Sequence, residues 1–341
     1  MTPPTQPKLP ALEQLQRIAA GFQPAKVLFA AAELGLFEPI LTRARTAAEV
    51  AEAVGGEPRG VEILLDALVA LALVDKADGR YLTRPDVAAE VAEDAPGHFV
   101  AMLRHRNHAF RRWAVVEERV RPQPENAAHE RRAVIADRAM NRNFIRAMYA
   151  AGHQAAPALV DAIGPGGARV VADLGGGPGH YLAELARRDP GVAPWLIDLP
   201  LTLEVARELL ADSGVYDRVR FVAWDFYEEP APPGLPAFDL VLVSQVLHSE
   251  SPDANRRLLA SVFPLVAPGG RVVVHENVVE PDRTGPVDAA LFAVNMLAMT
   301  AAGRTYTEAE LAAWGRAAGF ESEPGRRLGP RSFLLTLRRP A

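Results

Sequence analysis

Residues 169–181 constrain the fold most, because an apolar, β-branched run ends there in a carboxylate and a cluster of glycines. The run from Arg169 to Asp173 predicts a buried strand, and the glycines from Gly175 to Gly179 predict a turn into a helix. Glycines in such a turn let the backbone approach a ligand closely. This segment therefore predicts a ligand site at the end of a buried strand.

The sequence beyond this turn alternates short apolar strands with helical stretches, which is typical of parallel βαβ units. The predicted strands cover residues 169–172, 194–197, 219–223, 239–243, 271–279 and 332–337. We therefore predict an α/β fold with a doubly wound, mostly parallel sheet.

The chain before this region has a helical pattern from about residue 12 to 93. Thr46 and Glu49 form a capping box that predicts a helix start, and Pro58 suits the first turn of a second helix. Asp78 and Gly79 predict a tight turn into a short β wing. Together these features predict a winged-helix outline. Longer helices follow from residue 101 to 163, interrupted at Pro122 and Pro124.

The glycine turn favours one class of cofactor over another. A dinucleotide fingerprint beginning at Gly175 requires a third glycine or alanine at position 180, which is His180. Asp173 precedes the glycines, where its charge repels a pyrophosphate but suits the ammonium and sulfonium of S-adenosylmethionine. The spacing and charge therefore favour the methyl donor.

Two further carboxylates follow the next two predicted strands. Asp198 can accept hydrogen bonds from both ribose hydroxyls, and Asp225 can accept one from an adenine amino group, with Phe226 beside the ring. Each aspartate alone is more often a turn or cap residue. Their occurrence after successive strands favours a nucleoside site.

A candidate general base ends the fourth strand. His248 lies at the carboxyl edge, where sheets of this kind bind ligands, and an imidazole can accept a proton near neutral pH. Glu276, on the following strand, can hold the other ring nitrogen. An alternative is that His248 only caps a strand end against a carbonyl.

From about residue 12 to its end, the chain resembles S-adenosylmethionine-dependent O-methyltransferases related to plant phenolic and bacterial natural-product enzymes. The motifs that carry the resemblance span residues 173–180, 198–200, 225–226, 246–248 and 267–270. The resemblance implies a seven-stranded class I methyltransferase sheet and a homodimer formed through a winged-helix domain. It predicts a dimerisation domain at 12–100, bridging helices at 101–163 and a catalytic domain at 164–341.

The resemblance also implies site residues. The family's cofactor glycine matches Gly175, its ribose and adenine carboxylates match Asp198 and Asp225, and its catalytic pair matches His248 and Glu276. The full predicted donor site is Asp173, Gly175, Gly177, Asp198, Leu199, Asp225, Phe226 and Ser244. By the family pattern, the acceptor is lined by Phe144, Met148, Gln245 and Met296.

The chain departs from the family pattern at several positions. Trp224 replaces an expected glycine beside the adenine carboxylate, and Ser249-Glu250 replaces Asp-Trp after the histidine. A further family glutamate falls on Thr305. His275 competes with Glu276 for the inward direction, because neighbouring residues of a strand face opposite ways.

Composition excludes several other functions. The formal net charge is −5 and cysteine is absent, which excludes thiolate metal sites and cysteine nucleophiles. Residues 45–94 carry 5 basic and 11 acidic side chains, the wrong balance for nucleic-acid binding. His105 and His108 lack a third ligand, so we expect no metal. The proline-rich start predicts neither a signal peptide nor a membrane span, and we expect a cytoplasmic protein.

We therefore predict O-methylation of a small aromatic or otherwise apolar hydroxylated metabolite, with S-adenosylhomocysteine as the second product. Two alternatives stay open from the sequence. One is methylation of carbon or nitrogen on the same fold, and the other is a non-catalytic ligand-binding or regulatory protein.

Overall fold

The computed structural model describes residues 10–95, 97–121, 135–164 and 166–341. The chain divides into two units, one up to Asn107 and one from His108 onward. The predicted helix break at Pro122 and Pro124 lies outside the described residues.

The first unit consists of helices and one small sheet. Its helices are α1 (Ala11–Ala20), α2 (Phe22–Leu34), α3 (Ala47–Val54), α4 (Pro58–Ala70), α5 (Pro85–Val91) and α6 (Phe99–Trp113), of which the residues from His108 belong to the second unit. The strands β1 (Arg45–Thr46), β2 (Val74–Ala77) and β3 (Arg80–Thr83) form an antiparallel sheet in the order β1-β3-β2.

Local sequence signals account for these elements. The Thr46 hydroxyl accepts from the Glu49 N–H at 3.3 Å, and the Glu49 carboxylate accepts from the Thr46 N–H at 2.6 Å, so the predicted capping box is confirmed. Asp78 and Gly79 have φ angles of 48° and 71°, as a tight hairpin turn requires. Helices α2, α3, α4 and α5 and the wing pack around one apolar core.

The second unit contains one large sheet. Its strands are β4 (Val170–Leu174), β5 (Ala193–Asp198), β6 (Arg220–Ala223), β7 (Phe238–Ser244), β8 (Val266–Glu276), β11 (Glu321–Ser322), β12 (Arg326–Gly329) and β13 (Ser332–Arg338). A separate parallel pair joins β9 (Val278–Val279) and β10 (Tyr306–Thr307). All six predicted strands are present, the fifth divided into β8 and β9.

The order of the large sheet is β11-β13-β8-β7-β4-β5-β6, with β12 also paired to β13. The strands from β8 to β6 are parallel, and β13 is antiparallel to β8. The seven-stranded prediction needs one refinement. Because β11 and β12 pair with different ends of β13, eight strands occupy seven positions.

Besides the end of α6, the helices described in the second unit are α7 (Val116–Val120), α8 (Arg138–Gly152), α9 (Ala156–Ile163), α10 (His180–Arg188), α11 (Pro200–Leu210), α12 (Pro252–Val262), α13 (Val287–Met299) and α14 (Glu308–Ala317). Alternate residues of the central strands enter two apolar cores, one shared with α9, α10 and α11 and the other with α12 and α14. The doubly wound prediction is confirmed.

The sheet has a switch point beside β4, which pairs with β5 on one side and β7 on the other. The crossovers leave in opposite directions there, so a crevice opens at the carboxyl ends of the strands. No helix in the described ranges has both the length and the apolarity needed to cross a membrane.

Candidate active site

Asp173 lies near the carboxyl end of β4 with 0% of its surface exposed. Both carboxylate oxygens lack a hydrogen-bond partner. Burial, together with the charge of Asp198, raises the pKa of Asp173 to about 8. A buried carboxylate without a partner is costly in the charged form, so a cationic ligand group would be stabilised beside it.

The glycine turn after β4 has no space for a side chain at residue 175, so only backbone is present there. Gly175 and Gly177 have φ angles of 71° and 55°, which favour glycine. A β-carbon on residue 175 would lie 2.7 Å from Cγ2 of Val246 and 3.2 Å from Cζ of Phe226. These close approaches explain why a side chain is excluded at this position.

The tip of β5 is locked to the glycine turn through Asp198. Its Oδ2 accepts from the Gly177 N–H at 2.8 Å, and its Oδ1 accepts from the Leu199 N–H at 2.7 Å. A carboxylate can accept about four hydrogen bonds, so these two contacts fix its orientation without exhausting its capacity.

The segment after β6 presents Asp225 and Phe226. The Asp225 carboxylate accepts from the Tyr227 N–H at 3.3 Å, which holds this turn together. Trp224, the departure from the family pattern, is buried in the apolar core, and its Nε1–H donates to the Glu229 carbonyl at 3.1 Å. Its indole packs inside the protein.

The candidate base and its partner are in direct contact. Nδ1 of His248 lies 2.8 Å from Oε2 of Glu276, and the His248 N–H donates to Oε1 at 3.2 Å. The histidine is in a 3₁₀ turn, Leu247–Ser249, and its ring meets Phe292 edge-on with centroids 4.8 Å apart. Both oxygens of the Glu276 carboxylate therefore contact His248.

Glu276 is buried and remains an ion. Burial alone raises the pKa of its carboxyl, but the charge and the two hydrogen bonds of His248 outweigh it, so the pKa lies below its usual value. An additional N–H, from Asn277, donates to Oε2 at 3.1 Å. The carboxylate can therefore orient His248 and stabilise its protonated form.

The competing histidine on β8 faces elsewhere. His275 Nδ1 lies 2.8 Å from the Ser244 hydroxyl, and its Nε2 lies 2.9 Å from the Ser332 hydroxyl. Burial lowers the pKa of His275 to about 4, against the charge of Glu276, so it is neutral at pH 7. His275 thus joins β7, β8 and β13, and Ser244 is part of that link.

The predicted acceptor residues lie on several elements. Met296 is buried on α13, and Phe144 and Met148 are half-buried on α8. Gln245 follows β7 with a φ angle of 56°, and its Oε1 accepts from Asn277 Nδ2 at 2.7 Å. The assignment of these four residues to one pocket stays a prediction.

Two neighbours of this site were missed from the sequence. Phe292 lies four residues before Met296 on α13, so helical spacing could have indicated that both face one way. Asn277, which follows Glu276, carries no comparable signal, because its amide contact with Gln245 depends on how the chain leaves β8.

Comparison with known proteins decides the family. Residues 126–321 match the O-methyltransferase domain, and residues 16–97 match the O-methyltransferase dimerisation domain. The chain belongs to the O-methyltransferase family. This O-methyltransferase is 34% identical to 3-hydroxy-5-methyl-1-naphthoate 3-O-methyltransferase of Streptomyces sahachiroi over 314 residues, which cover 89% of this chain and 88% of that protein.

A second curated relative and a solved structure support the same family. It is 29% identical over 324 residues to the tetracenomycin polyketide synthesis 8-O-methyltransferase TcmO of Streptomyces glaucescens, covering 94% of each chain. The solved structure of PigF with SAH superposes with a TM-score of 0.83 at 26% identity, covering 97% of this chain and 100% of that one.

The O-methyltransferase is an S-adenosylmethionine-dependent enzyme with the class I methyltransferase fold. Its own residues fit this donor on three counts. Asp173 is a buried carboxylate without a hydrogen-bond partner. Gly175 has no side chain, so its backbone lies close to Phe226. At the next strand tip, the Asp198 carboxylate is oriented by the N–H groups of Gly177 and Leu199. Among the described residues, no three histidine, aspartate or glutamate side chains group as a metal site.

Proposed function

We propose that this enzyme methylates a hydroxyl group of a small aromatic acceptor, with His248 as the general base and Glu276 as its partner. The contact between His248 Nδ1 and Glu276 Oε2 at 2.8 Å carries the proposal. With a proton on Nδ1 donated to the carboxylate, Nε2 is the ring nitrogen that can accept the hydroxyl proton.

The donor is held by the tips of three strands. Asp173 faces the ammonium and sulfonium groups, Asp198 accepts from the ribose hydroxyls, and Asp225 accepts from the adenine amino group. Gly175, Gly177, Leu199, Phe226 and Ser244 complete the predicted donor site. When bound, S-adenosylmethionine supplies a methyl group on a positively charged sulfur.

The protein's own contribution to the reaction is positioning and proton transfer. The hydroxyl proton moves to Nε2 of His248, and the negative charge of Glu276 stabilises the imidazolium that forms. Thr305, at the position of the second family glutamate, is buried and uncharged, so it adds no negative charge to the pair of His248 and Glu276.

The acceptor class rests on the relatives and on the residues near the base. Both bacterial relatives act, by name, on a naphthoate or a polyketide, and Phe292 lies against His248. Phe144, Met148, Gln245 and Met296 are proposed to line the acceptor. The aromatic and thioether groups among them suit a flat ring system.

His248→Ala tests the base directly. With S-adenosylmethionine and 3-hydroxy-5-methyl-1-naphthoate as substrates, we expect turnover to fall by about two to four decades. Donor affinity, measured by calorimetry, is expected to stay within about threefold, because the imidazole touches the acceptor hydroxyl rather than the donor. Full turnover by this variant would reject His248 as the base, and a product methylated on carbon would reject O-methylation.

The first unit is proposed to form a homodimer, and residues 12–100, 101–163 and 164–341 to act as dimerisation, bridging and catalytic segments. Helix α1 supports this, because Leu12, Leu15 and Ile18 are 65–68% exposed on it and the match to the family's dimerisation domain begins within this helix, at residue 16. Leu15→Glu is expected to lower the mass observed by light scattering to that of one chain. An unchanged mass would show that α1 is not part of the interface.

We also propose that the enzyme is located in the cytoplasm.

A further inference from the structure

A fully buried asparagine lies between the adenine carboxylate and the candidate base. Asn255, in the first turn of α12, has 0% of its surface exposed, and all polar atoms of its side chain are hydrogen-bonded. A buried amide satisfied on both sides fixes the groups that it joins. This residue belongs to neither predicted site.

On one side, Asn255 contacts the turn that carries Asp225. The Tyr227 hydroxyl donates to Asn255 Oδ1 at 2.8 Å, and the Tyr227 N–H donates to the Asp225 carboxylate at 3.3 Å. The Tyr227 ring also packs against Phe226 with centroids 5.2 Å apart. Any shift of this turn therefore moves the tyrosine hydroxyl.

On the other side, Asn255 holds the turn that carries His248. Its Nδ2 donates to the Leu247 carbonyl at 2.8 Å and to the Glu250 carbonyl at 3.5 Å. The next residue after Leu247 is His248, whose N–H donates to Glu276. The carbonyl of residue 247 and the N–H of residue 248 belong to one peptide plane, so Asn255 and Glu276 hold that plane from opposite sides.

The chemistry of these partners fixes the orientation of the amide. Carbonyl oxygens only accept hydrogen bonds, so Nδ2 must face Leu247 and Glu250, and Oδ1 must face Tyr227. The Asn255 relay, defined as Tyr227, Asn255 and the carbonyls of Leu247 and Glu250, has a single satisfied arrangement. Rotating the amide leaves acceptors facing acceptors.

We propose that Asn255 is a positioning residue that couples occupation of the nucleoside site to the placement of the His248 turn. The proposal rests on the proposed roles of Asp225 and His248. Adenine bound at Asp225 restrains the Tyr227 turn, Tyr227 restrains the Asn255 amide, and the amide restrains the peptide plane that carries His248. Donor binding therefore orders the base before the acceptor arrives.

Hydrogen exchange with S-adenosylhomocysteine as the probe tests the coupling without any acceptor. In the wild-type enzyme we expect the probe to slow exchange of the amides at 248–250 by at least about threefold. Tyr227→Phe, which keeps the ring and removes only the hydroxyl, is expected to abolish this protection while the probe still protects the glycine turn at 175–177.

A matched variant separates the relay from general effects. Tyr216→Phe removes a hydroxyl from a tyrosine in the turn before β6 that packs against Phe221, at the opposite end of this strand from Tyr227. This variant is expected to behave as wild type. Equal protection of residues 248–250 in Tyr227→Phe and wild type, or no protection in wild type, would overturn the proposal.

Turnover gives a second readout. Asn255→Ala and Tyr227→Phe are each expected to lower kcat about tenfold, with the donor dissociation constant within about threefold, because the loss lies in alignment. The double variant is expected to be no slower than Asn255→Ala, since both remove one relay. Additive losses would contradict the relay. Full activity of His248→Ala would reject the base while leaving the exchange result intact.

Discussion

A β-carbon on Gly175 would lie 2.7 Å from Cγ2 of Val246, closer than carbon atoms pack in proteins. The backbone of Gly175 therefore packs directly against a methyl group of Val246, which lies two residues after β7. Because β4 and β7 flank the switch point, this contact closes one wall of the crevice in which the donor is proposed to bind.

Gly175→Ala should weaken donor binding at least about tenfold, because the added methyl group displaces Val246 or Phe226 at the crevice. The left-handed φ angle adds about 1–2 kcal/mol of backbone strain. Gly214→Ala is the matched control, since residue 214 has a φ angle of 74° and open space around it. Calorimetry with S-adenosylmethionine should therefore show weaker binding for Gly175→Ala alone. Equal affinity in both variants would contradict the close contact.

Asp173→Asn should change how stability depends on pH. In the unfolded chain an aspartate loses its proton near pH 4, whereas burial and Asp198 raise the pKa of Asp173 to about 8 in the folded protein. The unfolded state thus releases its proton first, and the free energy of unfolding falls as pH rises from about 4 to about 8.

The asparagine variant lacks this loss, so its melting temperature should exceed that of the ligand-free wild type by an amount that grows between pH 5 and pH 8. Scanning calorimetry measures the difference, and the exposed Asp212→Asn variant should follow wild type. A constant difference across this range would show that Asp173 does not titrate there.

Glu276→Gln should lower kcat about 10- to 100-fold, because a neutral amide cannot stabilise the imidazolium that forms on His248. Donor affinity should be unchanged, since Glu276 contacts His248 and Asn277 rather than the nucleoside tips. Glu321→Gln, on the exposed edge strand β11, serves as the control. Initial rates of the two variants are measured at saturating donor and acceptor. A Glu276→Gln rate equal to that of wild type would show that the carboxylate takes no part in the mechanism.

The strands and the tips that they present were predictable from the sequence. Apolar β-branched runs define the buried strands, and the residues after them, such as Asp198 and His248, must meet at one edge once the strands are parallel. Strand alternation also indicated that only one of His275 and Glu276 faces the base. It could not say which, because that choice depends on the register of β8 against β7 and β13.

The rest of the site depends on contacts between segments that are distant along the chain. Trp224 was predicted to alter the shape of the adenine edge, yet its side chain lies in the core and donates to the Glu229 carbonyl. Asn255 resembles an ordinary polar residue in the first turn of a helix. Its link between Tyr227 and Leu247 exists only after three crossovers are folded.

Helix α13 carries Phe292, which contacts His248, and Met296, which is proposed to line the acceptor, yet none of its residues belongs to either apolar core of the sheet. Apart from the contact between Phe292 and His248, this helix can therefore vary without changing either apolar core of the sheet. A chimera that takes residues 287–299 from a relative but keeps Phe292 is therefore expected to change which acceptor is methylated, while the affinity for the methyl donor is retained.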